Sequence, residues 1–144
     1  MLSKKTKYAI NALVYMAKHQ EDQPISTRVI AEQQHIPLKF LEAILVELKN
    51  ARLVNSKKGK YGGYSLNKSS DEIDIAEITR LFDGSIALLP CVTSRFYESC
   101  EECIDEATCG IRQVFSEIRL ETLKRMESAT LADIIQRETL LRQK

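Results

Sequence analysis

A glycine- and lysine-rich stretch between two short apolar runs constrains this chain most. Leu53-Val54 and Tyr64-Ser65-Leu66 read as brief strands. Between them runs Asn55-Ser56-Lys57-Lys58-Gly59-Lys60-Tyr61-Gly62-Gly63, which holds three of the chain's five glycines and three lysines. Glycine supplies the backbone freedom for a reversal and for close approach to a phosphate or groove. The lysines supply counter-charge to a polyanion. A basic antiparallel hairpin is expected here, and the elements before it decide its meaning.

Three helices are expected ahead of it. Residues 6–19 repeat Tyr8, Ala12, Tyr15 and Met16 at helical steps, with Leu13 and Ala17 widening the stripe. Lys4, Lys5 and Lys7 stand at its start, where cations oppose the helix dipole, so phosphate contact is the functional reading for them. Ser26 is a plausible N-cap for residues 27–34, with Val29, Ile30 and Ala31 inward. His35-Ile36 makes a tight link, and Pro37 suits a first helical position. Leu38, Leu41, Ile44, Leu45 and Leu48 then mark a helix over 38–51, whose other face carries Lys39, Glu42, Ala43 and Glu47. Two short helices joined tightly after a leading helix form a helix-turn-helix, and a basic hairpin directly behind it is a wing.

Charge follows the same division. Residues 1–68 carry 12 Lys and Arg against 5 Asp and Glu, a formal +7, and residues 69–144 carry 9 against 15, a formal −6. The overall +1 hides this asymmetry. It suggests that the first half faces a polyanion while the second does something else.

Beyond a polar linker over 68–73, Ile75, Ile78, Leu81 and Phe82 mark a short helix that Asp83-Gly84 ends. An irregular acidic segment of about 86–109 follows, and segments of that length are usually functional or disordered. All four cysteines, Cys91, Cys100, Cys103 and Cys109, lie in it, inside one window of 19 residues. In a cytosolic chain such a cluster points to metal binding or thiol chemistry rather than structural disulfides. Gly110 to Ala129 reads as the longest helix, with Ile111, Val114, Phe115, Ile118, Thr122, Leu123 and Met126 as its stripe. So long a helix beside a small winged domain has little of its own chain to pack on, and it is read as a dimer element. Thr130-Leu131-Ala132-Asp133 resembles a capping box opening a last helix through Leu141.

The fold class expected is mainly α with a small β-hairpin. A winged helix-turn-helix domain over 1–68 is followed by a sensor loop and dimerisation helices over 69–144. The 144 residues suffice for one ordinary domain. No apolar run has the length of a membrane span, and Met1-Leu2-Ser3-Lys4-Lys5 lacks the apolar stretch of a signal peptide, so a soluble cytoplasmic protein is expected. An enzyme is not expected. The two histidines are far apart, and no nucleophile and base share a supportive spacing. Cys100 and Cys103 have the spacing of a thiol oxidoreductase, but they lie in an acidic loop rather than at a helix start after a strand.

Several strings together carry a resemblance. They are Leu2-Ser3-Lys4-Lys5-Thr6-Lys7-Tyr8-Ala9, Ile30-Ala31-Glu32, Ile36-Pro37-Leu38-Lys39-Phe40-Leu41-Glu42, Gly62-Gly63-Tyr64-Ser65-Leu66 and Thr130-Leu131-Ala132-Asp133, with the cysteine loop and long helix in between. In this order they resemble the IscR/NsrR/CymR family of bacterial winged-helix transcription regulators over nearly the whole chain. The resemblance implies a homodimer on a pseudo-palindromic duplex, with helix 38–51 in the major groove. Its base-reading candidates are Lys39, Phe40, Glu42 and Ala43, Glu42 matching a position where a glutamate accepts from cytosine N4. Ala43 stands where relatives carry a polar residue and offers an apolar contact. Lys4, Thr27 and Arg28 fall where phosphate is met, and Lys57, Lys58, Lys60 and Tyr61 form the wing.

The resemblance also implies an iron–sulfur cluster on three loop cysteines. Cys91, Cys103 and Cys109 match those positions, and Cys100 is surplus. Soft thiolates suit such clusters. The fourth ligand departs from the pattern: Arg112 replaces a histidine, and Lys7 replaces an aspartate lent by the partner subunit. Three readings remain open. Cys100 completes an all-cysteine site, or a water or small thiol takes the fourth place; the four cysteines form a zinc clip; or no metal binds, and the loop answers to thiol oxidation or a partner protein.

Overall fold

The computed structural model describes residues 1–144. Six helices and one two-stranded antiparallel hairpin follow the order α1 (Lys4–Lys18), α2 (Thr27–Gln34), α3 (Leu38–Asn50), β1 (Val54–Lys57), β2 (Gly63–Leu66), α4 (Ile75–Asp83), α5 (Gly110–Glu127) and α6 (Leu131–Arg142). The expected class, helical with a small hairpin, is what the chain adopts. α1 starts two residues before the expected residue 6, because the Ser3 hydroxyl accepts the Thr6 N–H at 3.1 Å and caps it. Ser26 caps α2 through the Val29 N–H at 3.2 Å. Pro37 is itself the cap of α3 rather than its first residue.

The core is built where the apolar steps of α1 and α3 meet. Ala9, Ala12, Leu13 and Met16 of α1 and Leu41, Ile44, Leu45 and Leu48 of α3 are fully buried, with Ile30 of α2 and Leu53 beside them. Val29, expected inward, lies on the exposed face of α2. The turn between α2 and α3 closes through His35, in the left-handed region at φ 53°, and the Ile36 N–H reaches the Ala31 carbonyl at 2.9 Å. The same core continues past residue 68. Ile73, Ile78 and Leu131 are buried in it, and the α6 residues Ile134 and Ile135 pack against it. A capping box holds α6 at Thr130 and Asp133. Lys18 and Glu138 form an ion pair between α1 and α6.

α5 stands apart. None of its residues is buried. Its expected stripe splits in two. Phe115, Leu123 and Met126 are half-buried toward the rest of the chain, while Ile111, Val114 and Ile118 are 67%, 53% and 39% exposed. Arg80 of α4 and Glu127 of α5 pair at 2.8 Å and tie its far end down. No helix is long and apolar enough to cross a membrane.

Candidate DNA interface and cysteine loop

The hairpin is fixed from beneath. β1 and β2 pair from Val54 with Leu66 to Lys57 with Gly63. Ile25 adds a bridge to Tyr64 through backbone bonds of 2.9 and 2.8 Å. The Gln23 side chain donates to the Met16 carbonyl at 2.8 Å and accepts the Leu66 N–H at 3.0 Å, joining the wing to α1. Two of the wing glycines serve this anchoring. A Cβ on Gly63, at φ 153°, would stand 2.2 Å from the Ile25 carbonyl oxygen, and one on Gly62 would stand 2.1 Å from that of Lys57. Gly59, at φ 114°, has open space around it. Glycine at 62 and 63 therefore answers the protein's own backbone, and only the tip is free to meet a ligand.

The wing tip is exposed throughout. Lys57, Lys58 and Lys60 project into solvent, and Tyr61 is 80% exposed with the Lys60 ammonium 5.5 Å from its ring centre. On α3, the Lys39 side chain is 93% exposed and pairs with Glu42 at 3.5 Å. Such a surface pair holds little energy and is easily exchanged for other partners. Ala43 is exposed, and Phe40 is partly so, with its ring edge-on to Tyr8 of α1 at 5.7 Å. That contact fixes the direction of Phe40, a role for Tyr8 that the helical stripe of α1 conceals. Arg28 is exposed and Thr27 half-buried at the start of α2. Lys4 and Lys7 are free in solvent, while Lys5 is paired with Glu47 and lies 5.5 Å from the Phe82 ring centre.

All four cysteines are free thiols. Cys91 is buried in a short 3₁₀ turn over Pro90–Val92. Cys109 is the N-cap of α5, its sulfur accepting the Arg112 N–H at 3.4 Å. The Arg112 Nε–H donates to the Cys91 carbonyl at 3.2 Å. One residue thus clasps both ends of the loop, a role its charge and position alone do not announce. The Cys103 thiol adjoins that of Cys109. Cys100 is exposed and donates to Glu102 at 3.3 Å. No three His, Cys, Asp or Glu side chains are placed to hold a metal ion. The donor chemistry suits a thiolate-ligated centre, and assembling one requires the loop to draw Cys91 and Cys100 toward the Cys103–Cys109 pair. His19 faces Asp22 at 3.5 Å and stacks on Tyr15, and His35 closes α2, so both belong to the winged half.

The carboxylate neighbour controls thiol reactivity. The hydrogen bond to Glu102 raises the Cys100 thiol above the ordinary cysteine range. Desolvation, then contact with the Cys109 thiol, raises Cys103. A raised thiol holds less thiolate at neutral pH and reacts more slowly. In metal-free protein, the pH midpoint for iodoacetamide alkylation of Cys100, followed by peptide mass spectrometry, is expected above that of free cysteine. Glu102→Gln should lower it. An unchanged midpoint in that variant would remove Glu102 as the cause.

Residues 2–137 match the Rrf2 family, described as iron-dependent transcriptional regulators. A Rrf2-like HTH-type transcriptional regulator of Rhodobacter capsulatus is 40% identical over 138 residues, covering 94% of this chain and 92% of that protein. The structure of CymR, the global cysteine regulator of B. subtilis, superposes with a TM-score of 0.76 at 29% identity, over 93% of this chain and 95% of that one. The structure of T. potens IscR does so with a TM-score of 0.74 at 25% identity, over 96% and 88%. The matched family and relatives are transcription regulators rather than enzymes.

Proposed function

The chain belongs to the Rrf2 family of transcriptional regulators, and on that premise we propose that it is a homodimeric DNA-binding regulator whose cysteine loop senses iron–sulfur status, redox or nitrosative signals. The observation that carries the DNA reading is the exposed basic wing, Lys57, Lys58, Lys60 and Tyr61, anchored behind an α3 that presents Lys39, Phe40, Glu42 and Ala43. In this reading residues 1–68 bind DNA, with Lys4, Thr27 and Arg28 on phosphates. Residues 69–144 carry the sensor loop and the dimer helices. The uncovered Ile111, Val114 and Ile118 of α5 support a two-fold partner, which suits two half-sites of a pseudo-palindromic duplex.

Cys91, Cys103 and Cys109, with Cys100 as fourth, would hold an iron–sulfur cluster. Such a cluster supplies reactivity toward oxidants and nitric oxide and a dependence on iron supply. This chain's own part is the clasp. Arg112 holds the Cys91 backbone against the start of α5, and its own N–H bonds the Cys109 sulfur that caps that helix. A change in the loop therefore acts at the root of α5, and through α5 on the spacing of the two recognition helices. A response requires that the two loop states fit DNA differently.

A second reading is favoured by the adjacent Cys103 and Cys109 thiols: no metal binds, and the loop answers to thiol oxidation or a partner protein. Anaerobic purification with iron, sulfide and zinc analysis on one sample separates the cases. Matched iron and sulfide are expected, lost on Cys91→Ala, Cys103→Ala or Cys109→Ala. Stoichiometric zinc would make the loop a structural clip. A metal-free protein would contradict the cluster and leave DNA binding to its own test.

A further inference from the structure

A cavity of about 290 Å³ lies where α4, the segment 85–88 and α5 meet. Its walls are mostly apolar: Ile86 and Leu88 on one side, Phe115, Ile118 and Met126 on the other. Two charged residues line it, Asp83 and Arg119. Asp83 is already engaged, accepting the Ser3 N–H at 3.1 Å. Arg119 is in no ion pair within 4 Å, and its Nε–H is buried with no acceptor. Its one contact is a long one, Nη2 to the Ser94 hydroxyl at 3.5 Å.

A guanidinium that lines an apolar cavity without an anionic partner is uncommon, because partial removal from water leaves its charge uncompensated. The Nε–H itself is closed off from solvent, so an occupant meets the Nη groups. Guanidinium matches a carboxylate through two parallel hydrogen bonds. The apolar walls around it suit a short hydrocarbon tail, and the volume is at the small end for ligand sites. We propose that this cavity binds a small aliphatic monocarboxylate, with the carboxylate on Arg119 and the tail between Ile86, Leu88, Phe115 and Met126. No cysteine lines the cavity. Arg119 also touches Ser94 of the cysteine loop, and Asp83 joins α4 to the start of α1. An occupant therefore sits at the junction of loop, dimer helix and DNA-binding half, as a metabolite effector would.

Calorimetric titration of the full chain tests this directly, with hexanoate as the probe and hexanamide as its neutral counterpart. One hexanoate per chain is expected, with hexanamide at least tenfold weaker. Arg119→Met should weaken hexanoate tenfold or more, and Arg119→Lys should recover part of the loss. Ala87→Trp, which fills the cavity from the loop and leaves Arg119 in place, should also abolish binding while circular dichroism stays unchanged. Equal binding of acid and amide would overturn the proposal, as would undiminished binding by Arg119→Met. So would hexanoate binding only to a monomeric Ile111→Glu variant, since a second copy would then be the cavity's occupant. Binding is read without DNA, so failure here leaves the regulator reading standing.

Discussion

Replacing Lys57, Lys58 and Lys60 together by alanine is expected to weaken binding to an isolated operator half-site roughly a hundredfold at physiological salt, and binding of the dimer to a full operator by about the square of that. The reasoning is electrostatic. Each lysine on a phosphate releases a condensed counterion, which adds about 0.9 to the steepness of affinity against log salt. At ~0.15 M salt that is worth somewhat under a factor of ten per contact. The salt slope should therefore fall by about 3 on a half-site and by about 5 on the full operator, which two wings meet. All three side chains are exposed at the hairpin tip, and the anchoring rests on Ile25, Gln23 and the two inner glycines. The fold should be untouched, as thermal unfolding can check. Fluorescence anisotropy over a salt series reads both quantities. A variant that keeps the parent slope would mean that the wing does not touch phosphate.

The second large effect is expected on α5. Ile111 and Val114 are 67% and 53% exposed in the single chain, three residues apart on one face. Glutamate at both positions costs the isolated protomer little, because water still reaches them. In a two-fold contact the same carboxylates face an apolar surface without partners, which is strongly unfavourable. Sedimentation of Ile111→Glu/Val114→Glu should give the mass of one 16.4 kDa chain. Affinity for a full operator should drop by about 10²–10⁴, the advantage conferred by linking two binding modules. Affinity for an isolated half-site should stay as it was. A parent protein that already sediments as a monomer would contradict the dimer, and so would an unchanged dimer in the variant.

The two predictions bear on elements that the sequence reveals to different degrees. α1, α2, α3 and the hairpin are legible because their apolar steps and punctuation agree: Ser26 before α2, Pro37 before α3, glycines at the reversal. Val29 misleads because a helix of eight residues offers too few steps to separate inner from outer face. α5 shows its length, but the stripe that reads as one face divides between a side against α4 and a side open to solvent. Periodicity marks which residues are apolar, not which neighbour they meet. The placement of α6 against α1 depends on Leu131 and on Lys18 with Glu138, which lie far apart along the chain and leave no local signal.

The sites follow the same logic. The cysteine cluster and the basic loop stand out by composition. The residues that organise them do not. Arg112 reads as a missing ligand in the sequence, and in the fold it is the clasp between Cys91 and Cys109. Lys5 reads as one of three equivalent lysines, and in the fold it is bound to Glu47. Arg119 belongs to no motif, and its unpartnered Nε emerges only when α5 is set against the 85–94 segment. Each of these roles depends on a contact with a distant element.

The central claim is that α3 and the wing of two symmetric copies read a duplex. Selection from a random pool of duplexes, with the anaerobically purified full chain and sequencing of the bound fraction, tests it most directly. The account predicts enrichment of a two-fold related sequence, its half-sites centred about one helical turn apart or a multiple of it. Glu42→Ala should relax the preference at one position in each half-site by about 1–3 kcal/mol. Enrichment of no sequence at all, or of one without two-fold symmetry, would contradict it.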